Sequence, residues 1–400
     1  MTIALTRPAE PYADVKLRIA EAIEANRAEI LELSARIHAN PEPAFEEHKA
    51  AAWVADTIAR HGYAVEAPAG SLATAVRGRL PGGRGSDGPR IGILAEYDAL
   101  PGLGHGCGHN TMAASGVGAA IALSAVRDAF AGEVVFLGTP AEERGSGKQI
   151  MINDGLFEGL DAALLYHPCD RSHVETHPLA SEDVTVTFHG LQAHAASDPW
   201  RGKNALDALI LLFSSVGLWR QQLRPDARVH GIVTEGGTAA NIIPERAAAW
   251  FMIRSPEKAY YEQMRERFRA LAEAAALATD TTVEVAFSGG ATSMNQNRTL
   301  EARWVENARA YGIEDQGPDP FSGSTDMGNV SWVCPTIHPE LSIAPEGTPG
   351  HSTAFRDAAA TPRAQETTLL AATLVAQTAY DLFADPKLVE DAWAEFRSKT

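Results

Sequence analysis

Cys107 and His109 lie in the stretch GHGCGHN (104–110), where His105, Cys107 and His109 occupy alternate positions separated by glycine. Thiolate and imidazole are the donors that zinc and other borderline divalent cations take. The stretch alone is open to three readings: a metal site, a reactive thiol, or a glycine-rich turn that happens to carry histidines. Its neighbours along the chain decide among them. The apolar run at 90–95 ends in Glu96, Tyr97 and Asp98, the run at 133–138 leads to Glu142 and Glu143, and the run at 162–166 ends at His167. His351 sits in the loop PEGTPGHS. An open parallel sheet binds ligands just outside the carboxyl ends of its strands. A lone His167 reads as a satisfied core histidine and a lone glutamate pair as solvated surface. Their common placement at successive strand ends points instead to a metal centre.

Sulfur, imidazole and carboxylate donors exclude magnesium and calcium, which prefer oxygen. About five donors exceed one tetrahedral site, so two cations roughly 3.5–4 Å apart are expected, bridged by Cys107 or a water. Glu142 and Glu143 are adjacent and must point apart. One can bind metal while the other takes a proton from an activated water and later protonates a leaving nitrogen. That chemistry is amide hydrolysis.

The elements that position these residues follow from periodicity. Ile19, Ile23, Ile30, Leu33 and Ile37 keep helical spacing, which predicts one helix up to the break at NPEP (40–43) and a second up to Gly62. Strands then alternate with helices: strand 90–98, a helix from Asn110 or Thr111 to about Ala129, strand 133–143, a helix near 148–157 and strand 162–168. Continuous apolar strands between helices predict a mostly parallel sheet covered on both faces. From residue 183 the pattern changes to period two. The order becomes β-α-β-β-α-β, with strands at 183–190 and 281–289, a strand pair joined around Asn241 and Pro244, and helices at 204–223 and 256–278. The first pattern returns with a helix at 299–311, and a long terminal helix begins at Pro362. The expected organisation is α/β: a catalytic domain of mostly parallel sheet (1–182 and 291–400) carrying an inserted ferredoxin-like βαββαβ domain (183–290).

Four hundred residues with 21% charged side chains suit a globular chain of two or three domains. The net charge of −17 disfavours nucleic acid as a partner. No apolar run approaches the ~20 residues that span a bilayer, so no membrane partner is expected. Three sparse cysteines and the absence of a signal-like start predict a cytoplasmic location.

Taken together, EYDALPGLGHGCGHN, GTPAEE, YHP, HGLQAHAASDPWRGKNALDA, GGTAANIIPE, GSTDMGNVS and GTPGHS resemble the aminoacylase and carboxypeptidase-type metallopeptidase family, in its amidohydrolase branch. The resemblance runs from about residue 15 to 385. It implies that Cys107, His109, Glu143, His167 and His351 hold two divalent cations, zinc or manganese, and that Glu142 is the general base. Asp98 would orient a ligand imidazole. The inserted domain would pair subunits into a homodimer or higher oligomer, sending His194 to a partner's site to steady an oxyanion. Asn241 would contact substrate. His105 has no role by this resemblance, and Cys169 and Cys334 read as buried thiols. The chain departs from the family's common pattern in carrying Asn110 after His109 and Glu96 where many members have histidine. Arg254 could meet a substrate carboxylate, and Trp200 and Phe321 could line an acyl pocket or pack in the core. The expected substrate is a small amide, an N-acyl amino acid or a dipeptide. The alternatives are a hydrolase with Cys107 as nucleophile, served by His105 or His109, and a non-catalytic binding protein that keeps the fold.

Overall fold

Residues 12–318 and 323–399 are described by a computed structural model. The first helical stretch is two helices, α1 (Ala13–Ala25) and α2 (Arg27–Ala39). Asn26 breaks it, with ψ turned to 13° and its side-chain amide donating to Ala22 O at 2.8 Å. Helical phase survives the break, so Ile19, Ile23, Ile30, Leu33 and Ile37 are all buried. Helix α3 (His48–Arg60) follows, then strands β1 (Ala64–Glu66), β2 (Val76–Pro81) and β3 (Arg90–Glu96).

Helix α4 (His109–Ala125) is buried at every position from His109 to Leu123. Its small residues allow that approach: a Cβ on Gly116 would lie 2.6 Å from Leu94 O of β3. Strand β4 (Glu133–Thr139), helix α5 (Gly147–Asn153), strand β5 (Ala162–Leu164) and strand β6 (His167–Cys169) complete the first segment. The strand expected over 162–168 is therefore divided between β5 and β6.

The next six elements are β7 (Ala180–His189), α6 (Ala205–Trp219), β8 (Arg228–Glu235), β9 (Arg246–Ser255), α7 (Lys258–Ala278) and β10 (Thr282–Ala291). The chain then adds α8 (Arg298–Arg309), α9 (Met327–Val330), β11 (Thr336–Ile337), β12 (Glu340–Ser342), α10 (Thr353–Ala358) and α11 (Pro362–Ala384). The terminal helix expected from Pro362 is followed by another, α12 (Pro386–Arg397), capped by the Asp385 carboxylate with Pro386 in its first turn.

Two compact units result. Within the described residues one takes 12–177, 294–318 and 326–399, and the other takes 178–293 and 323–325. The first holds a six-stranded sheet in the order β1-β2-β4-β3-β5-β11. β3 runs parallel to β4 and β5, and β5 parallel to β11, while β1 and β2 add an antiparallel edge. β12 pairs parallel with β6, setting Glu340 opposite His167. The second unit is a four-stranded antiparallel sheet in the order β10-β7-β9-β8. Val184, Val186 and Phe188 of β7 are buried with Leu209 and Leu212 of α6 and Phe268 of α7. Trp200 lies in this unit and is 75% exposed, so it packs in no core; Phe321 lies outside the described residues. Among the described residues no helix is long and apolar enough to cross a membrane.

Candidate metal centre

Five chain segments of the first unit deliver side chains to one place. β3 ends at Glu96 and continues to Asp98, both buried. The loop from Leu100 returns through Cys107, and Gly108 starts α4 in the left-handed region at φ 79°. A Cβ there would also lie 2.7 Å from Pro168 Cγ, so glycine is required twice over. His109 is thus the first residue of a buried helix. β4 leads through Ala141, at φ 59°, to Glu142 and Glu143. β6 opens with His167. His351 is tied by its backbone N–H to Gly106 O at 3.0 Å.

Three overlapping groups have donor atoms all within 4.8 Å of one another: Cys107, His109 and His167; Cys107, Glu143 and His351; and Glu96, His109 and Glu142. Cys107 Sγ is 3.4 Å from His167 Nε2, and Glu143 Oε2 is 3.3 Å from His351 Nε2. His109 Nε2 is 3.3 Å from Glu96 Oε2, 3.9 Å from Glu143 Oε1 and 4.0 Å from Glu142 Oε2.

The imidazoles are oriented from behind. His109 Nδ1–H donates to Asp98, 3.0 Å to its carbonyl and 3.1 Å to Oδ1, while His167 Nδ1–H donates to Pro168 O at 2.8 Å. Both rings therefore turn their Nε2 atoms inward, the orientation that metal-binding histidines take. Glu96 Oε2, His109 Nε2 and Glu143 Oε1 are buried without a hydrogen-bond partner. Unpaired buried polar atoms are costly, and here they face one another. A cation between them would satisfy all three, and the mixed sulfur, nitrogen and oxygen set fits a borderline divalent ion.

The acidic groups of the cluster favour positive charge at His109 and protons on Cys107 and Glu142. Burial, then the charge of Glu143, pushes the Cys107 thiol well above the ordinary cysteine range. Burial opposes charge on His109, but Cys107 and Asp98 hold its imidazole well above the usual value. Burial and then the neighbouring His109 lower His167 to about 4. Burial raises Asp98, and His109 with the Glu143 N–H more than reverses it. Glu143 is likewise raised by burial and brought below its usual range by His351 and His109. Glu142 moves the other way: burial, then the charges of Glu96 and Glu143, push its carboxyl well above the ordinary range.

The remaining residues singled out by sequence lie elsewhere. His194, Asn241 and Arg254 belong to the second unit. There His194 Nδ1 accepts from the Ala196 and Ser197 amides at 3.2 Å, which leaves Nε2 as the N–H donor. Its neighbour Ala195 donates to Asn241 O at 3.0 Å. Arg254 lies in β9 beside Met252 Sδ at 3.6 Å, and its Nε is buried without a partner. His105 is buried with Nε2 on Ile37 O at 3.1 Å and is lowered to about 3 by burial, so it braces α2. Asn110 donates to Ser34 Oγ and Ala359 O, joining helices. Cys334 is buried, whereas Cys169, at the end of β6 in the two-stranded β12-β6 pair, is only half-buried.

Sequence reasoning gave no role to four buried groups beside the cluster. Lys148 Nζ lies 2.5 Å from both Glu96 Oε1 and Asp326 Oδ1. The His338 ring stands 5.4 Å from that of His167. Glu47 accepts from Ala141 N at 2.8 Å. Lys148, five residues after Glu143 and four after Arg144, carries no local signal that marks it as a buried counter-charge, and neither do the others.

Comparison with known proteins bears on this geometry. Residues 92–369 match the family described as peptidase family M20/M25/M40. The chain is 37% identical to the Xaa-Arg dipeptidase of Mus musculus, covering 98% of this chain and 96% of the relative. It is 38% identical to the Xaa-Arg dipeptidase of Homo sapiens, covering 96% and 92%. It is 30% identical to a component of the p-aminobenzoyl-glutamate hydrolase of Escherichia coli, covering 96% and 95%. In fold it resembles a Bacillus subtilis dinuclear metal-binding peptidase of the M20 family, with a TM-score of 0.66 and 23% identity over 88% of this chain and 99% of that one.

Proposed function

We propose, from the premise that this chain belongs to peptidase family M20/M25/M40 and hydrolyses amide bonds, that it is a dinuclear metal-dependent dipeptidase or N-acyl amino acid amidohydrolase. The observation that carries this reading is the cluster of inward-facing, unpartnered atoms on Glu96, His109 and Glu143 beside Cys107, His167 and His351. Cys107, His109, Glu143, His167 and His351 would hold two cations, zinc or manganese, with Cys107 common to two of the donor groups. When bound, the cations would supply Lewis acidity toward the scissile carbonyl and toward water.

Glu142 is the proton carrier. Its carboxylate stands at the donor cluster, with Oε2 4.0 Å from His109 Nε2, where as the ionised form it can accept a proton from the attacking water and release it to the leaving nitrogen. Asp98 holds His109 and, through the Glu143 amide at 2.9 Å, the loop that carries both glutamates. The antiparallel unit has the strand order of a ferredoxin-like fold, and we take it as the lid and dimerisation domain of a cytoplasmic enzyme. His194 Nε2–H is then the donor for the oxyanion of a partner's site, with Asn241 beside it for substrate and Arg254 for its carboxylate. The Xaa-Arg dipeptidase relatives favour a dipeptide with a basic C-terminal residue.

The test is hydrolysis of dipeptides with basic and neutral C-termini, N-acyl amino acids and p-aminobenzoyl-glutamate by the purified protein, before and after chelation. Turnover that needs zinc or manganese, and that Glu142→Gln abolishes while metal content is kept, is the expected result. Activity of the metal-free protein that alkylation destroys would replace it with the thiol mechanism.

A further inference from the structure

We propose that Glu47 is a positioning residue for the proton carrier Glu142, acting through the backbone amide of Ala141; this rests on the reading of Glu142 given above. Glu47 precedes α3 yet makes no side-chain cap to its own helix. Its carboxylate is fully buried, and both oxygens are spent on other segments. Oε1 accepts from Ala141 N and Oε2 from Thr74 Oγ1, each at 2.8 Å. The Tyr97 hydroxyl in turn donates to Thr74 O, so Glu47 ties the end of β3 to the loop that leaves β4.

That loop needs holding. Ala141 is fully buried at φ 59°, a region that residues with a Cβ avoid. On the far side of Glu142, the Glu143 amide ends on Asp98 Oδ2 at 2.9 Å. The two amides that flank Glu142 are therefore both captured by buried carboxylates from other parts of the chain. Among the described residues no side chain or amide donates a hydrogen bond to the Glu142 carboxylate itself, so its aim is set by its backbone. Ala141 O accepts from Gly147 N at 3.1 Å, and a Cβ on Gly147 would meet Pro140 O at 1.8 Å, which closes the loop on itself. Among the described residues Glu47 is the one tether that reaches the residue before Glu142 from outside this loop.

Reach and charge can be separated. Glu47→Asp keeps the charge but withdraws the carboxylate by about 1.5 Å, one carbon–carbon bond. Glu47→Gln loses the charge but keeps an oxygen at the same reach, and Thr74 can turn its hydroxyl to accept. A misplacement near 1 Å at a reacting group costs about 100-fold in rate. We expect Glu47→Asp and Glu47→Ala to lose about 100-fold in kcat, with KM and bound metal per subunit unchanged within about threefold. Glu47→Gln should stay within about threefold of the parent. In the metal-free protein, hydrogen exchange of a peptide spanning 139–147 should quicken in the Asp and Ala variants and not in the Gln variant. An Asp variant at parental kcat, or a Gln variant as impaired as the Ala variant, overturns the inference. So does a loss that follows bound metal, or failure of both the Asp and Gln variants to fold. Glu142→Gln run in parallel separates the two levels: its retention of turnover removes the proton-carrier assignment, whereas its loss beside an active Asp variant removes Glu47 alone.

Discussion

Replacing Lys148 by methionine removes the lysine that bridges two buried carboxylates beside the site, Glu96 and Asp326. Lys148 is 0% exposed, as is Glu96, and Asp326 is 1% exposed. Two contacts of 2.5 Å and a backbone bond from Lys148 N to Asp326 Oδ2 at 2.9 Å hold the three together. Methionine matches the shape, so packing changes little and charge dominates. Two unit charges at such separations attract by several kcal/mol even at an effective dielectric of about 20. Most of that only offsets desolvation, but removing one partner leaves the others buried and uncompensated, at a cost of about 3–5 kcal/mol. At about 2–4 °C per kcal/mol for a domain of this size, the melting temperature of the metal-free protein should fall by about 6–20 °C. Burial already raises the Asp326 carboxyl against the pull of Lys148, and without Lys148 it rises further, so its penalty is present above that value and relieved as it protonates on acidification. The triple variant Lys148→Met, Glu96→Gln, Asp326→Asn carries no buried charge at these three positions and should recover to within about 1–2 kcal/mol of the parent. Thermal and urea unfolding of the parent, the single variant and the triple variant from pH 5 to 8 measure this. A single variant within about 1 kcal/mol of the parent, with no gain in the triple variant, refutes the reasoning.

Asp98→Ala frees His109 Nδ1 and one end of the glutamate loop, so zinc affinity measured by chelator competition should fall about 10–100-fold; an unchanged affinity contradicts the orienting role. Glu395 of α12 accepts from the Arg298 and Thr299 amides at 2.9 Å and caps α8 from outside. Burial raises its carboxyl, but Lys399 and those amides bring it down to about 2. Its stabilisation is therefore complete above the unfolded value near 4.3 and is lost as pH falls through about 2. Discounted for partial exposure, Glu395→Ala should cost about 1–2 kcal/mol at pH 7, shrinking steadily below about pH 4. A cost that does not change with pH in urea titrations refutes the charge-based account.

Which of these features periodicity could reveal has a physical explanation. β3 and β4 are continuous apolar runs because the parallel sheet buries both their faces, and such runs stand out in a chain of this length. β2 carries no apolar periodicity although Val76 and Leu80 point inward, because the inward position between them is Gly78, where a Cβ would lie 2.7 Å from Ile58 Cδ1. The space that would have shown an apolar side chain in sequence is filled by another helix. Asn26 was equally invisible, since a break that preserves helical phase leaves the pattern of buried isoleucines intact.

At the centre, residue types at strand ends were legible because backbone continuity carries each strand's carboxyl end to the same edge. What sequence cannot show is how each carboxylate divides its two oxygens. Glu96 gives Oε1 to Lys148 and turns Oε2 toward His109. Asp98 gives Oδ1 to His109 and Oδ2 to the Glu143 amide. Glu47 spends both oxygens on Ala141 and Thr74. The partners lie between 11 and 94 residues away, and none has local periodicity that marks it as a partner. A carboxylate with one oxygen anchored can aim the other without loss of side-chain entropy at the moment of binding, which is why scaffold and site meet in the same residues. The consequence is directional: substitutions that keep an acceptor at the anchored oxygen should preserve function better than those that keep only the charge.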